Sequence, residues 1–198
     1  RQQDLLDYQM ALEASGYFAQ ATVRIEPDPA LAAAVPIQVT VIERPEKLIS
    51  VGAGVSTDTG ARVQASWLHR DILDEGMRLK LEARLETTRQ TGIAELAWPR
   101  NAKGYENSVG LQLKQEDIEG QETRAAVLAA RRGRTRGQIE TTLTLQYQTE
   151  EQEIGDVVSA RNQALSVNYA WTQRTVGRAF YPRRGYVLTL QGGGAAEA

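Results

Sequence analysis

Hydrophobic and charged side chains alternate along the segment MRLKLEARLET, residues 77–87. The apolar side chains occupy every second position: Met77, Leu79, Leu81, Ala83 and Leu85. Because successive side chains of a β-strand point to opposite faces, this pattern predicts a strand with one apolar and one charged face. The same alternation returns in residues 139–148 and 165–172. The central question is therefore what lies against the apolar face.

Nine alternating segments follow Pro45, separated by short polar or glycine-containing turns. They cover residues 47–56, 60–70, 77–87, 91–99, 105–117, 121–132, 136–148, 160–173 and 186–191. No helical periodicity interrupts them, and consecutive segments lie close enough to be joined as hairpins. The pattern predicts a mainly β fold in which about nine antiparallel strands form an up-and-down meander.

The residues before Pro45 follow a different pattern. Residues 3–15 are rich in helix formers, and Gly16 stands where a helix would end. Two alternating segments, residues 21–28 and 36–45, come next and predict two paired strands. We therefore expect a helix packed on a β-hairpin ahead of the long meander.

Composition excludes several classes of function. The 198 residues carry a net charge of −2, so no basic excess indicates nucleic-acid binding. Cysteine is absent, which removes disulfides, thiolate metal sites and thiol catalysis. Because His69 is the only histidine, no metal cluster or serine–histidine pair can form around a second one, and we expect it to be an ordinary turn residue. The sequence predicts no enzyme activity, cofactor or metal.

A membrane location is compatible with the hydropathy of the chain. No run of about 18 apolar residues is present, so no transmembrane helix is predicted. The mean hydropathy of −0.42 fits a soluble protein, and it also fits a transmembrane β-barrel, whose strands alternate lipid-facing and lumen-facing side chains. The apolar face could lie against lipid or against the second sheet of a soluble sandwich, and the periodicity fits both.

Aromatic side chains favour lipid contact. If the strand after Pro45 runs upward, most of the tryptophan and tyrosine side chains of the predicted strands fall near the lower end of the sheet. Tyr147 falls near the upper end. Aromatic girdles are typical of membrane barrels, because indole and phenol rings are stable where apolar and wet zones meet. The predicted girdle residues are Trp67, Trp98, Tyr105, Tyr147, Tyr169 and Trp171.

Several segments resemble the BamA/TamA superfamily of outer-membrane proteins. LEASGYFAQATVRIEPD followed by PIQVTVIERP is similar to the second half of a POTRA domain. ISVGAGVSTDTGARVQASWLHRDILDEGMRLKL resembles the first hairpins of the barrel that follows the last POTRA domain. Three motifs are most similar to the TamA branch of the family. They are the Gly52-x-Gly54-x-Ser56-Thr57-Asp58-Thr59-Gly60 run, the Asp74-Glu75-Gly76 turn and the FYPRRG run of residues 180–185.

The resemblance implies a fold and a function. Residues 1–45 would be the C-terminal half of a periplasmic POTRA domain, and residues 46–198 the N-terminal part of an outer-membrane β-barrel of the bacterial surface antigen type. Such a protein inserts or secretes autotransporter-type clients through a lateral seam in the outer membrane of a Gram-negative bacterium. Its partners would be the lipid bilayer, the client proteins and a TamB-like inner-membrane protein. The first POTRA elements and the closing barrel strands are not covered, so we expect the chain to be a fragment with a truncated barrel.

The seam would involve the first barrel strand. An assembly factor of this kind is expected to open where its first strand pairs weakly with its last, and to template an incoming strand by edge pairing. Glycine weakens a strand interior, which suits a seam, but the same glycines could instead relieve crowding at a tightly curved wall. The predicted seam residues are Leu48, Ser50, Gly52, Gly54 and Ser56.

Two other functions fit the same pattern. The strands could form a passive outer-membrane pore or structural barrel, or a soluble all-β binding module whose apolar face packs on a second sheet. Three polar segments are expected to lie outside the strands: a basic turn at residues 131–136, an acidic outer loop at residues 150–153 and a flexible terminus at residues 192–194.

Overall fold

A computed structural model describes residues 2–25, 35–57, 60–154, 157–176 and 185–197. The chain divides into two compact units, Arg1–Glu46 and Lys47–Ala198. Residues 26–34, between the first two strands, and most of the FYPRRG run lie outside the described residues, as do Asp58 and Thr59 of the glycine-rich run.

The N-terminal unit, Arg1–Glu46, contains the predicted helix and hairpin. Helix α1 spans Gln2–Ala14, and the strands β1 (Phe18–Ile25) and β2 (Ile37–Glu43) pair antiparallel. The helix ends at Ala14, and the hydroxyl of the next residue, Ser15, donates a 2.6 Å hydrogen bond to the carbonyl of Leu12. Helix and hairpin meet where the backbone N–H of Ala21 donates to the Glu13 carboxylate, and Ala21 is almost completely buried.

The described residues of the C-terminal unit, Lys47–Ala198, form nine strands in one antiparallel sheet. The strands are β3 (Lys47–Ser56), β4 (Gly60–Ile72), β5 (Met77–Glu86), β6 (Arg89–Ala97), β7 (Tyr105–Ile118), β8 (Gln121–Arg136), β9 (Ile139–Ile154), β10 (Val157–Val176) and β11 (Gly185–Glu197). Each strand pairs with its neighbours in sequence, so β3 and β11 are the edges of the sheet. The predicted mainly β fold with a nine-stranded meander is confirmed.

Four local expectations are wrong, three of them because the strands are longer than the alternating segments suggested. The basic residues 131–136 lie within β8, and the acidic residues 150–153 lie within β9. Residues 192–194 form part of β11 and pair with β10, and His69 is a strand residue of β4 opposite Lys47. The turn between β8 and β9 is instead the dipeptide Gly137-Gln138, where Gly137 adopts a φ of 59°.

The sheet has almost no interior. Among the described residues of the whole chain, only two apolar side chains are buried, Ala21 and Met77, and the latter is the only one in the C-terminal unit. All nine described strands of that unit belong to a single sheet, so no second layer of the unit covers either face. Within the described parts of the chain, no helix combines the length and apolar character that crossing a membrane requires.

Candidate functional site

The register divides the sheet into an apolar face and a polar face. Directly paired residues share a face, so the pairing assigns every strand position to one side. We use the name apolar face for the side that carries Ile49, Val51, Val55, Val63, Trp67, Leu79, Leu81, Leu85, Leu96, Val109, Leu111, Leu113, Leu128, Leu143, Leu145, Tyr147, Leu165, Val167, Tyr169, Trp171, Leu188 and Leu190. Most of these side chains are more than a third exposed; Leu145, in the central strand β9, is 46% exposed.

The polar face carries ion pairs between strands. Arg78 of β5 forms a 2.5 Å ion pair with Glu106 of β7, above the small side chain of Ala97. Glu116 pairs with both Arg89 and Lys114 on the same face. Solvent-exposed ion pairs contribute little to the stability of a protein. The pairs on this face therefore indicate a surface in contact with water and do not form a stabilising core.

The predicted girdle residues of β4 and β7–β10 lie on the apolar face, and the register connects them across strands. Trp67 and Tyr147 belong to one cross-strand row that runs through Leu81, Ala94, Leu111 and Leu128. Tyr105 and Trp171 share a second row through Arg134 and Thr141. Trp98 lies one residue beyond β6, where its backbone N–H donates a hydrogen bond to the backbone carbonyl of Asn107. The register links Asn107 onward through Arg132 and Leu143 to Tyr169.

Alternate arginines of β8 lie on the apolar face. Arg132 is paired with Asn107 and Leu143, and Arg134 is paired with Tyr105 and Thr141. The guanidinium carbons of Arg132 and Arg134 lie 4.2 and 4.8 Å from the centre of the Tyr105 ring. This cluster was not predicted from the sequence because Gly133 was interpreted as part of a turn. The alternation of Arg132, Arg134 and Arg136 is the signal that could have revealed a strand.

The predicted seam residues all lie on one edge strand. Leu48, Ser50, Gly52, Gly54 and Ser56 project to the polar face of β3, since they pair with the polar-face positions of β4. A Cβ at Gly52 would lie 3.2 Å from the side-chain nitrogen of Gln64, and one at Gly54 would lie 3.3 Å from Nε of Arg62. Both neighbours are ends of flexible side chains, so these positions tolerate a side chain after a small adjustment.

The opposite edge strand, β11, contains a glycine that admits no side chain. A Cβ at Gly193 would lie 2.7 Å from the carbonyl oxygen of Val167 and would also overlap the amide oxygen of Asn168. At Gly192 and Gly194, by contrast, no atom stands within 4 Å of the Cβ position. The close approach of β10 and β11 therefore depends on Gly193 alone among these three glycines.

We expect Gly193→Ala to destabilise the β10–β11 pairing by about 1–3 kcal/mol, because the backbone of β10 must move to admit the methyl group. Gly192→Ala and Gly194→Ala are the matched controls and should be neutral or slightly stabilising. Amide hydrogen exchange of β11 in detergent measures the effect. Equal protection in all three variants would contradict the close contact at Gly193.

Metal-binding side chains are not clustered in the described parts of the chain. No group of three or more histidine, cysteine, aspartate or glutamate side chains there is arranged to hold a metal ion. His69 contacts the ring of Trp67 edge-on, with the ring centres 5.6 Å apart. The site that the structure presents is therefore a pair of chemically distinct faces and two strand edges.

Comparisons with known proteins show which solved structures the fold is similar to. No protein-family model matches the chain, and no curated protein matches it. The crystal structure of BamA from Haemophilus ducreyi lacking POTRA domains 1–3 is similar, with a TM-score of 0.63 and 14% sequence identity. The match covers 93% of this chain and 40% of the BamA chain. The helix, hairpin and nine-stranded meander therefore have a BamA-like fold.

Proposed function

We propose that this chain forms part of an outer-membrane β-barrel that assembles or translocates client proteins, with β3 as the seam strand. The observation that carries the proposal is the uncovered apolar face of a meander that has a BamA-like fold. A soluble domain of this size would bury many large apolar side chains, whereas Met77 is the only buried apolar side chain among the described residues of the C-terminal unit. Lipid is the surrounding that makes such a face stable.

The positions of the aromatic rings support the proposal that the apolar face lies against lipid. Strands of membrane barrels tilt by about 35–45°, so a cross-strand row shifts along the membrane normal by about 3 Å per strand. Trp67 and Tyr147 share a row but stand five strands apart, which separates them by about 15 Å along the normal. They would thus lie in opposite halves of an apolar band about 25 Å tall.

The polar face would then line the inside of the barrel. Arg78, Glu106, Lys114 and Glu116 would contact water there, which agrees with their partial exposure and mutual pairing. Burying these charges against lipid instead would carry a large desolvation cost. The distribution of charge is therefore consistent with only one of the two faces being in contact with lipid.

The finer assignment follows the TamA-like motifs of the sequence. We assign the N-terminal unit to a POTRA domain in the periplasm, autotransporter-type proteins as clients, and a TamB-like inner-membrane protein as partner. In this scheme an incoming client strand pairs with the free edge of β3 through backbone hydrogen bonds. Gly52 and Gly54 keep that strand thin, so the edge can exchange partners.

We expect Gly52→Val and Gly54→Val, made in the full-length protein, to leave membrane insertion intact while slowing client assembly. Valine restricts the backbone and adds β-propensity on a scale of about 1 kcal/mol, which corresponds to a change of about fivefold. Gly92→Val is the control, because Gly92 lies in the interior strand β6, which is paired on both sides, with no atom near its Cβ position. The rate of client assembly is measured as the rate at which a client protein folds into vesicles that contain the reconstituted full-length protein.

Disulfide trapping tests the same seam directly. A cysteine at Ser50 should crosslink to a cysteine in an arrested client strand, whereas a cysteine at Ser108, a polar-face serine of the central strand β7, should not. Full client assembly by both valine variants together with no crosslink from Ser50 would refute the seam. That result would favour the passive barrel, in which β3 is only part of the wall.

A further inference from the structure

The basic run of β8 lies where the proposed lipid surface ends. Arg132 and Arg134 occupy the apolar face, while Arg131 pairs with Thr144 and Ser108 on the polar face. Their neighbours on the apolar face are Tyr105 and, on β9, Leu143. A cation beside exposed leucine would be unfavourable at mid-membrane, but it is well placed where the apolar band meets the headgroups.

No described acidic side chain neutralises this pair of arginines. Ion pairs join other arginines of the sheet to glutamates, but among the described residues none involves Arg132 or Arg134. Glu106 and Glu140 are the nearest carboxylates in the register, and both project to the polar face. The contacts that hold the two guanidinium groups are with the Tyr105 ring and its hydroxyl, to which Arg134 donates at 3.3 Å.

From this geometry we infer that Arg132 and Arg134, positioned by Tyr105, form a binding site for the phosphate of an anionic membrane phospholipid. The inference rests on the proposed membrane location of the sheet. Two guanidinium groups held 4.2 and 4.8 Å from one ring centre supply several N–H donors within a small area, and such donors suit phosphate oxygens. The acyl chains of the same lipid would lie along Leu143 and Leu145 of the adjacent strand β9.

A lipid explains the cluster better than a free phosphate ion does. The arginines are continuous with an apolar surface that a free ion would not use, and an anionic lipid satisfies both the charge and that surface. Two tryptophans report on the site, since Trp171 shares the row of Arg134 and Trp98 extends the row of Arg132. Their fluorescence is quenched when a brominated acyl chain lies nearby.

The test reconstitutes the 198-residue chain in mixed phosphatidylcholine–phosphatidylglycerol vesicles of constant composition, with bromine on the acyl chains of one lipid at a time. We expect quenching by both lipids, with local enrichment of phosphatidylglycerol of about fivefold per arginine. Arg132→Gln and Arg134→Gln should each reduce that enrichment by a similar factor. Arg131→Gln removes the same charge from the other face of β8 and should leave the enrichment unchanged.

The possible outcomes separate the inference from the proposed function. Quenching without preference, or an equal loss in Arg131→Gln, would overturn the lipid site and leave the membrane location standing. Binding of inorganic phosphate to the wild-type chain in phosphatidylcholine vesicles, together with no preference for phosphatidylglycerol in chloride buffer, would identify a free-phosphate site and overturn the lipid assignment. Absence of quenching by either lipid would refute the membrane location itself. Arg132→Lys retains the charge but loses the planar guanidinium group, so it should keep the electrostatic part of the enrichment and therefore controls for misfolding.

Discussion

Replacing Leu145 with arginine should destabilise the membrane-inserted protein by about 2–4 kcal/mol. Leu145 lies on the apolar face at the middle of β9, between Ala130 and Val167, and is 46% exposed. If lipid covers that exposed part, an arginine must be accommodated in hydrocarbon, and mid-membrane positions of β-barrels show a cost of this size. If water covers it, the same change should be nearly neutral, as at other exposed sites.

The adjacent residue supplies the control for that experiment. Gln146 belongs to the same strand but projects to the polar face, opposite Ala129 and Ser166. Gln146→Arg therefore introduces the same side chain into the same strand, but on the face that does not contact lipid. We expect it to change the free energy of unfolding by no more than about 0.5 kcal/mol. Denaturant titration of the protein folded into lipid vesicles gives both free energies of unfolding. Equal sensitivity at the two positions would refute the lipid-facing assignment.

Alternation was sufficient to predict the strands of the sheet and their two faces. In β5 the predicted segment, residues 77–87, and the observed strand, Met77–Glu86, differ by one residue. The pattern is reliable here because each strand contacts different surroundings on its two faces, which forces a strict period of two. What covers the apolar face could not follow from periodicity, since lipid and a second sheet select the same side chains.

Strand ends were predicted less well, and the reason is physical. Charged or small residues usually indicate turns in soluble proteins, so RRGRTR was interpreted as a basic turn and GGG as a flexible terminus. In this sheet the strands continue beyond the apolar band, where polar cross-strand pairs sustain them. Glu151 lies opposite both Arg124 and Arg161, and it accepts a 2.9 Å hydrogen bond from Nε of Arg161. Such pairs depend on the register, which sequence alone does not specify.

The residues most important to the proposed function differ in how readily they could be identified from the sequence. Gly52 and Gly54 could be singled out from sequence because glycine is unusual inside a strand. The arginine pair on Tyr105 could not, because its meaning depends on which face of β8 each arginine occupies. Arg131 and Arg132 are adjacent in sequence and identical in type, yet the structure places them on opposite faces.

The largest effect we expect concerns the two edges of the sheet. Within the described sheet, β3 and β11 each pair on one side only. On an edge strand about half of the backbone N–H and C=O groups point outward, and each such group left unsatisfied in hydrocarbon costs several kcal/mol. Over ten residues of β3 and thirteen of β11, the sum reaches tens of kcal/mol as an upper bound.

The 198-residue chain, produced by itself, should therefore not persist as a monomer in a bilayer. We expect its β3 edge to pair with the β11 edge of a second copy, because antiparallel or parallel pairing at these edges satisfies the outward backbone groups. Single-molecule photobleaching in vesicles should show two or more copies per particle, and cysteines along β3 and β11 should crosslink between copies. Without detergent or lipid the exposed apolar face should cause aggregation. Light scattering that shows a stable monomer in plain buffer would contradict both the open edges and the lipid-facing surface. Water would then have to cover the leucines that the proposed function places against acyl chains.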